Sequence, residues 1–256
     1  MLSLYCIGTI LPKKRIPILV YHSIDESGSC ISMRASEFKK QMEFIKEKGY
    51  KTFTASELVY ILRKNGSMPN KAVVLTFDDG FENNYSVAFP ILKSLGITAT
   101  IFLTTDYVGK KCTWDKKDDI PDLTLLSWEM INEMSKFGID FQSHTATHPH
   151  LPLLSNDKIK DELKRSRIAI ENRLGKRCDI LCYPYTEFDM RVVQILKEEG
   201  YIAAFTKHSD HEDIYTIRRV GSSQFNSMLA FKTALKGTFP VYYSLKKIIK
   251  GRNVNV

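Results

Sequence analysis

The stretch A-V-V-L-T-F-D-D-G at residues 72–80 decides the fold class of this chain. Its first six residues are apolar or β-branched and leave no polar alternate positions, which is typical of a strand buried on both faces. Asp78 and Asp79 follow at the end of this strand. Adjacent carboxylates are costly to bury unless a metal ion, another cation or a shared proton offsets their repulsion. The pair therefore indicates a functional site, although a helix N-cap with a solvated neighbour uses the same residue types.

Strand and helix patterns alternate on both sides of this stretch. The other predicted strands are short apolar runs at residues 16–21, 98–103, 139–142, 180–183, 202–205 and 215–220. Glycines end several of the intervening helices, at Gly49, Gly96, Gly138 and Gly200. This alternation is typical of a parallel sheet wrapped by helices. About seven strands favour a closed or nearly closed, distorted β/α barrel over an open sheet.

Capping side chains precede several of the predicted helices. Ser36 is the expected cap of a helix through residue 48, and Ser127 is the expected cap of a helix through residue 137. Thr54 and Glu57 have the spacing of a capping box that opens a helix through residue 62. Further helices are predicted at residues 85–95, 156–174 and 190–199, and two more close the chain.

The length and charge of the chain limit its class. We expect one domain over residues 1–256, with an N-terminal extension at 1–15 and a C-terminal helix at 238–256. The net charge is +8, but the basic residues are scattered and form no nucleic-acid-binding motif, so no nucleic-acid partner is expected. The basic stretch at 241–252 leaves two interpretations open. It could associate with an anionic membrane surface or glycan, or it could form a docked helix with an exposed basic face.

The cysteines and the N-terminus favour a reducing compartment. The five cysteines are an odd number and show no C-x-x-C spacing, which is typical of free thiols. The first ten residues lean apolar but are too few to span a membrane, and no basic segment precedes them as in a secretory signal. We therefore expect a cytoplasmic location or one peripheral to the membrane.

Polar residues follow four of the predicted strands at their C-terminal ends. These are His22, the Asp78–Asp79 pair, the segment H-T-A-T-H-P that begins at His144, and Pro184 with Tyr185. In a parallel sheet or barrel these ends meet at one rim, where active sites form. The residues are therefore expected to lie close together in space.

Two histidines and a carboxylate from these segments could bind a metal ion. His144 and His148 are four apart, but Thr145 replaces the glutamate of H-E-x-x-H and Pro149 follows directly, so a loop fits better than a zincin helix. Two imidazoles and one carboxylate suit Zn²⁺ with an open position, or Fe²⁺ or Co²⁺. The second aspartate would remain available as a base.

Three motifs carry a resemblance to a known family. T-F-D-D-G at 76–80, H-T-A-T-H-P at 144–149 and Y-P-Y at 183–185 resemble the leading motifs of the polysaccharide deacetylases, also called the NodB-homology or carbohydrate esterase 4 family. The resemblance extends over residues 21–219 and is closest to the poly-N-acetylglucosamine deacetylase branch. It implies a distorted β/α barrel that hydrolyses the N-acetyl group of an amino sugar and releases acetate.

The resemblance also implies roles for single residues. Asp79, His144 and His148 would bind the metal, most commonly Zn²⁺ with Co²⁺, Ni²⁺ and Fe²⁺ as alternatives, and Asp78 would be the general base. The backbone N–H of Tyr185 would stabilise the oxyanion. The expected substrate contacts are Tyr183, Pro184 and Trp128, with core packing as the alternative for Trp128 and Trp114 as a second candidate for stacking on a sugar ring.

The chain departs from the common family pattern at three places. Cys182 stands where many members have the arginine that orients the base, and Arg219, or less favourably Arg218, is the expected replacement. The usual C-terminal histidine acid is missing, so His22 is the candidate acid. Thr186 replaces a glycine.

Two other functions stay open at this point. A non-haem Fe(II) oxygenase uses the same ligand types, and these substitutions would also fit a catalytically impaired carbohydrate-binding relative.

Overall fold

A computed structural model describes residues 16–114, 122–207, 213–222, 225 and 227–236. The predicted N-terminal extension at 1–15 and the C-terminal helix at 238–256 lie outside these residues. The strands are β1 (Ile18–Tyr21), β2 (Ser23–Ile24), β3 (Ser32–Met33), β4 (Lys51–Phe53), β5 (Ala72–Phe77), β6 (Thr100–Leu103), β7 (Asp140–Ser143), β8 (Ile180–Cys182), β9 (Ala203–Thr206), β10 (Ile217–Arg218) and β11 (Val220–Gly221). The helices are α1 (Ala35–Glu47), α2 (Ala55–Arg63), α3 (Phe89–Leu95), α4 (Trp128–Lys136), α5 (Asn156–Leu174), α6 (Met190–Glu198) and α7 (Met228–Leu235).

The main sheet is parallel and bends towards closure. Its nine strands run in the order β10-β9-β8-β7-β6-β5-β1-β11, and β4 pairs with the first half of β5. Only Arg219 separates β10 from β11, so one extended segment pairs with β9 on one side and with β1 on the other. This segment joins the two ends of the sheet. Counted once, with the short strand β4 set aside, it makes seven parallel strands among the described residues, and the predicted distorted β/α barrel is confirmed.

The opening stretch forms the centre of this sheet because all six residues of β5 are buried. Alternate residues of β5 point to opposite faces of the sheet. Leu75 and Phe77 pack with α1 and α3 in the larger apolar cluster. Val74 packs with Phe102 and Phe205 in a second cluster that includes residues of β1, β6, β8 and β9. A strand covered on both faces needs the continuous apolar run that the sequence shows.

Most predicted helix starts match the structure, with two differences. The Thr54 capping box and the Ser127 cap are both formed. The Ser36 prediction is wrong, because α1 begins at Ala35 and its N-cap is Arg34, which makes no side-chain cap bond. The helix predicted from residue 85 begins with a π-helical turn, Asn84–Ala88, before α3. The buried Asn84 side chain donates to the carbonyl of His22 (2.7 Å), and π-turns often occur beside functional residues.

All strand C-termini of the barrel meet at one rim, which carries the connecting loops. The segment after β6 folds back over this rim through antiparallel bridges between Phe81 and Leu125 and between Lys111 and Thr124. Its Leu126 N–H donates to the carbonyl of Gly80 (2.8 Å). Within the described ranges, no helix has the length and apolar character needed to cross a membrane.

Gly80 ends the central stretch in a conformation that only glycine adopts freely. Its φ is 80°, and an added Cβ would lie 2.8 Å from Cδ2 of the buried Leu103. Gly28 has a similar φ of 75° with open space around the same position. Gly28→Ala therefore measures the backbone cost alone, about 1–2 kcal/mol.

We expect Gly80→Ala to lower the free energy of unfolding by a further 1–3 kcal/mol, roughly the cost of overpacking a core, because Leu103 must move. Denaturant unfolding of the two variants beside the wild type measures the difference. Equal losses in both variants would show that the contact with Leu103 does not constrain the turn.

Candidate active site

Asp78 forms a buried, two-pronged ion pair with Arg219. Nη1 and Nη2 of Arg219 donate to Oδ1 and Oδ2 of Asp78, each at 2.7 Å. The same guanidinium donates to Oγ1 of Thr76 (3.0 Å) and to the sulfur of Cys182 (2.9 Å). Its side chain is 0% exposed. Arg219 thus lies beside Asp78, as predicted, and Cys182 accepts one of its hydrogen bonds.

The interruption between β10 and β11 puts Arg219 in this position. Its backbone N–H donates to the carbonyl of Thr206 (2.9 Å), after which the chain switches its pairing from β9 to β1. The residue at this switch can direct its side chain towards the barrel rim, where β5 ends in Asp78. Arg218, the second candidate, pairs with Thr206 at the end of β10.

The ion pair keeps Asp78 charged despite its burial. Burial raises the pKa of Asp78, but the charge and hydrogen bonds of Arg219 lead the opposing effects, to which His144 and His22 add when protonated, and the pKa lies well below its usual range. For Arg219, burial lowers the pKa, and the charge of Asp78 together with the interactions with Cys182 and the hydrogen bonds to both residues more than reverses this. Asp78 is therefore ionised at neutral pH, which is the form that can accept a proton.

Asp79 and the two histidines converge on one point. Oδ1 of Asp79 lies 3.5 Å from Nε2 of His144 and 3.4 Å from Nε2 of His148. Nδ1 of His144 lies 2.7 Å from the carbonyl oxygen of Cys182, which can only accept, so this nitrogen carries the proton. In neutral His144, Nε2 therefore presents a lone pair towards Asp79.

These three residues fit a divalent metal ion. Burial is the largest cause that lowers the pKa of both His144 and His148, so the neutral imidazole needed for ligation is favoured. The ligand atoms of the three residues all lie within 4.8 Å of one another. Without a cation, the lone pairs of the two imidazoles and the carboxylate repel one another. A cation bound between them would replace this repulsion with attraction. Two imidazoles and one carboxylate are the ligand set of many open zinc sites.

A second group of possible ligands shares His144. Asp78, His144 and Cys182 also offer atoms within 4.8 Å of one another. The Arg219 guanidinium, however, occupies both Asp78 and Cys182 with hydrogen bonds. A metal ion there would lie next to a buried positive charge, so the Asp79 group is the better site.

His22 also lies near Asp78. Its Nε2 is 3.8 Å from Oδ2 of Asp78, and its side chain is 14% exposed. Burial, followed by the charge of Lys207, lowers the pKa of His22 to about 3 although Asp78 opposes the shift. His22 is therefore neutral at physiological pH. It can supply a proton as an acid only after it has received one.

Tyr185 projects beside the metal ligands from a strained turn. Its φ is 55°, and that of Thr186 is 64°, so two successive residues adopt left-handed conformations. Thr186 therefore takes up a conformation that the glycine of related sequences adopts freely. The Tyr185 ring contacts the His148 ring edge-to-face (4.5 Å between centroids) and stacks on His150 (4.0 Å).

Three residues predicted to contact substrate make packing contacts in the described structure. Tyr183 is 1% exposed, its hydroxyl donates to the carbonyl of Tyr215 (3.1 Å), and its ring stacks on Phe188. Pro184 is buried at the start of the turn. Trp128 packs against the core with Arg173 5.5 Å from its ring centroid. Their contact with substrate stays a prediction.

Sequence reasoning did not predict the contacts of His150 and left the role of Trp114 open. Trp114 stacks on His148 (4.9 Å), and its buried Nε1 has no hydrogen-bond partner in the described structure. His150 lies in the loop after His148, where its ring stacks on Tyr185 and its Nδ1 pairs with Glu187 (2.8 Å). The only sequence signal for His150 is its position two residues after a ligand.

Comparisons with known proteins agree with this geometry. The chain matches the family model described as polysaccharide deacetylase over residues 65–204. It is 30% identical over 221 residues to YxkH of Bacillus subtilis (strain 168), which is named as a polysaccharide deacetylase, with 85% of this chain and 75% of that protein covered. It is 29% identical over 218 residues to the poly-beta-1,6-N-acetyl-D-glucosamine N-deacetylase of Staphylococcus epidermidis, with 80% of this chain and 71% of that protein covered.

Solved structures share the fold. The Streptococcus pyogenes deacetylase PplD in complex with acetate has a TM-score of 0.71 at 27% identity, over 80% of this chain and 91% of that one. IcaB from Ammonifex degensii has a TM-score of 0.74, over 88% of this chain and 98% of that one. At 24% identity, the second likeness supports the fold alone.

Replacing Arg219 tests the ion pair. We expect Arg219→Met to lower the free energy of unfolding at pH 7 by roughly 3–5 kcal/mol, because Asp78 would be buried without its partner. Arg218→Met is the matched control, since Arg218 is only partly buried, and should change stability much less.

The stability difference between wild type and Arg219→Met should also depend on pH. The folded pKa of Asp78 lies below its unfolded value, so its contribution is complete above about pH 4 and is lost as the pH falls further. The gap should therefore shrink on acidification, as the unpartnered carboxyl of the variant also becomes protonated. Denaturant unfolding at a series of pH values checks this, and a gap that stays constant down to pH 3 would contradict the pairing.

Proposed function

Because the chain belongs to the polysaccharide deacetylase family, we propose that it hydrolyses the N-acetyl group of an N-acetylglucosamine residue in a glycan and releases acetate. The observation that carries this proposal is that the two adjacent carboxylates have different partners. Asp78 is held ionised by Arg219, while Asp79 faces two neutral imidazoles. This is the arrangement that a metal-dependent hydrolase needs, with a base beside the metal and not bound to it.

Asp79, His144 and His148 would hold the metal ion, and the nitrogen-rich ligand set favours Zn²⁺ over a hard cation. When bound, the ion would lower the pKa of a water molecule and polarise the acetyl carbonyl. The burial of the ligands contributes a low dielectric, which strengthens these effects.

Asp78 would take the proton of the attacking water. The water oxygen forms a bond to the acetyl carbon, and the bond from that carbon to the sugar nitrogen then breaks. Arg219 fixes both oxygens of the base, so only small motions separate the resting and reacting geometry. The backbone N–H of Tyr185, in the turn beside His148, is the proposed donor to the negative charge that develops on the acetyl oxygen.

The leaving nitrogen needs a proton, and His22 is the proposed carrier. Because His22 is neutral before the reaction, it must first gain a proton, and the Asp78 carboxyl, 3.8 Å away, is the nearest group that has just received one. The low pKa of Asp78 favours passing this proton on. His22 would then protonate the amine, which leaves as the free amino sugar, with acetate as the second product.

The proposed substrate is a β-linked N-acetylglucosamine glycan. A relative at 29% identity is named for poly-beta-1,6-N-acetyl-D-glucosamine, and this chain covers 71% of it. The rim beside the metal ligands carries Trp114, Tyr185 and His150, whose flat faces suit the apolar faces of sugar rings.

The two alternative functions are not favoured. An Fe(II) oxygenase would leave the Asp78–Arg219 pair without a purpose. The hypothesis of a catalytically impaired carbohydrate-binding relative rests on Cys182 and Thr186. The structure supplies the base with an arginine from another strand, and Thr186 adopts the left-handed turn despite its side chain.

Acetate release tests the proposed division of roles. With zinc-loaded protein and β-1,6-linked N-acetylglucosamine oligomers, Asp78→Asn should lower kcat by roughly 10²–10⁴, because it removes the general base, while metal content stays at the wild-type level. Asp79→Asn should instead lose the metal, and removal of the metal by a chelator should abolish turnover. Full activity of Asp78→Asn, or no acetate from any N-acetylated glycan with full metal occupancy, would refute the proposal.

His22 can be tested separately from the base. His22→Ala should lower kcat by roughly 10²–10⁴, the range of proton-transfer catalysis, without loss of metal. Met190→Ala is the control, since it removes a side chain on α6 that is 75% exposed. Steady-state kinetics and metal analysis of the variants test this role. Unchanged turnover or lost metal in His22→Ala would show that His22 does not transfer the proton.

A further inference from the structure

The histidine loop, residues 144–148, carries both proposed histidine ligands in a strained backbone. Thr145 has φ 67° and His148 has φ 61°, in the left-handed region that non-glycine residues avoid. Such conformations persist only where surrounding contacts over-determine them. The contacts that hold this loop therefore help to bring the two imidazoles together.

Glu162 on α5 makes three hydrogen bonds to the middle of the histidine loop. Its Oε2 accepts from the backbone N–H of Ala146 (2.9 Å) and of Thr147 (2.8 Å). Its Oε1 accepts from the Thr147 hydroxyl (2.7 Å). All three donors lie between the two ligands in sequence, so one carboxylate spans the segment that connects them.

The Glu162 carboxylate is buried and itself held in place. The residue is 6% exposed, and Nη2 of Arg165 donates to its Oε1 (3.3 Å). Nη1 of Arg165 donates to Asp106 (2.8 Å), whose backbone N–H donates to the carbonyl of Ala146 (3.0 Å). The described groups that bond to this carboxylate are all donors, which makes their bonds charge-assisted.

We propose that Glu162 is a positioning residue of the metal site, which holds the histidine loop in the conformation where both Nε2 atoms face Asp79. The inference rests on the proposed function only through the three metal ligands. No described contact joins Glu162 to the imidazole rings, so it acts through the loop backbone. Partners that orient metal ligands commonly change metal affinity by 10–100-fold when they are mutated.

Glu162→Gln is the direct test, because it keeps the side-chain volume and replaces one acceptor oxygen with a donor. Asp161→Asn is the matched control: Asp161 is the preceding residue, also pairs with Arg165 (3.0 Å), and is 62% exposed. The dissociation constants of Zn²⁺ and Co²⁺ are measured by competition with a chelator. The visible spectrum of bound Co²⁺ reports the coordination geometry, and thermal unfolding of the metal-free proteins reports the fold.

Glu162→Gln should bind both ions 10–100-fold more weakly than the wild type and should change the Co²⁺ spectrum, while Asp161→Asn stays within about 2-fold. A lower melting temperature of the metal-free variant with metal affinity within 2-fold of the wild type would assign Glu162 a purely structural role and overturn the proposal. These readouts need no substrate. Failure of the deacetylase proposal and failure of this one are therefore distinguishable.

A milder variant covers the case in which Glu162→Gln does not fold. Thr147→Val removes one donor to Glu162 and leaves the two backbone bonds. It should weaken Co²⁺ binding several-fold, and unchanged affinity in this variant would contradict the proposal in the same way.

Discussion

Two carboxylates next to each other in sequence, at the end of a fully buried strand, are the constraint on which this structure depends. Two unit charges 4 Å apart interact by about 4 kcal/mol at an effective dielectric constant of 20. Different groups in the fold stabilise each of the two charges. Arg219 binds Asp78 through two hydrogen bonds, and two neutral histidines face Asp79 and leave room for a cation. Gly80, with φ 80°, follows directly, and Asp79 itself adopts a φ of 71°, so the turn points the two side chains to different partners.

Backbone strain is concentrated at this same rim. Six non-glycine residues in the described structure have positive φ, and five of them belong to the site: Asp79, Thr145, His148, Tyr185 and Thr186. Each such conformation costs on the order of 1–3 kcal/mol and needs compensation from its surroundings. The compensation comes from groups beyond the reacting atoms, such as the Glu162 carboxylate under the histidine loop. Preorganisation of this kind lets the site meet a substrate with little rearrangement.

Much of this arrangement could be predicted from the sequence, because its signals are local. The buried run of β5 and the 19 residues of α5 match their predicted bounds. The placement of His22, Asp78, Asp79, His144 and His148 at one rim follows from a rule about parallel strands, and the structure brings these residues together.

Other features depend on tertiary contacts that no local pattern reveals. The division of one predicted strand into β10 and β11 at Arg219 reflects its change of partner from β9 to β1. The burial of Tyr183 and the packing of Trp128 depend on side chains distant in sequence, as does the contact of His150 with Tyr185. A cation beside the buried Asp78 is needed for charge balance, but the segment that supplies it is a matter of topology.

Anomalous X-ray diffraction from zinc-soaked crystals at the zinc absorption edge tests most directly whether Asp79 binds the metal ion while Asp78 stays paired with Arg219. A single strong peak within bonding distance, about 2.0–2.2 Å, of Asp79, His144 and His148, with Asp78 still paired to Arg219, is the predicted result. A zinc ion bonded to Asp78 or Cys182, with Arg219 displaced, would contradict the assignment of Asp78 as the free base.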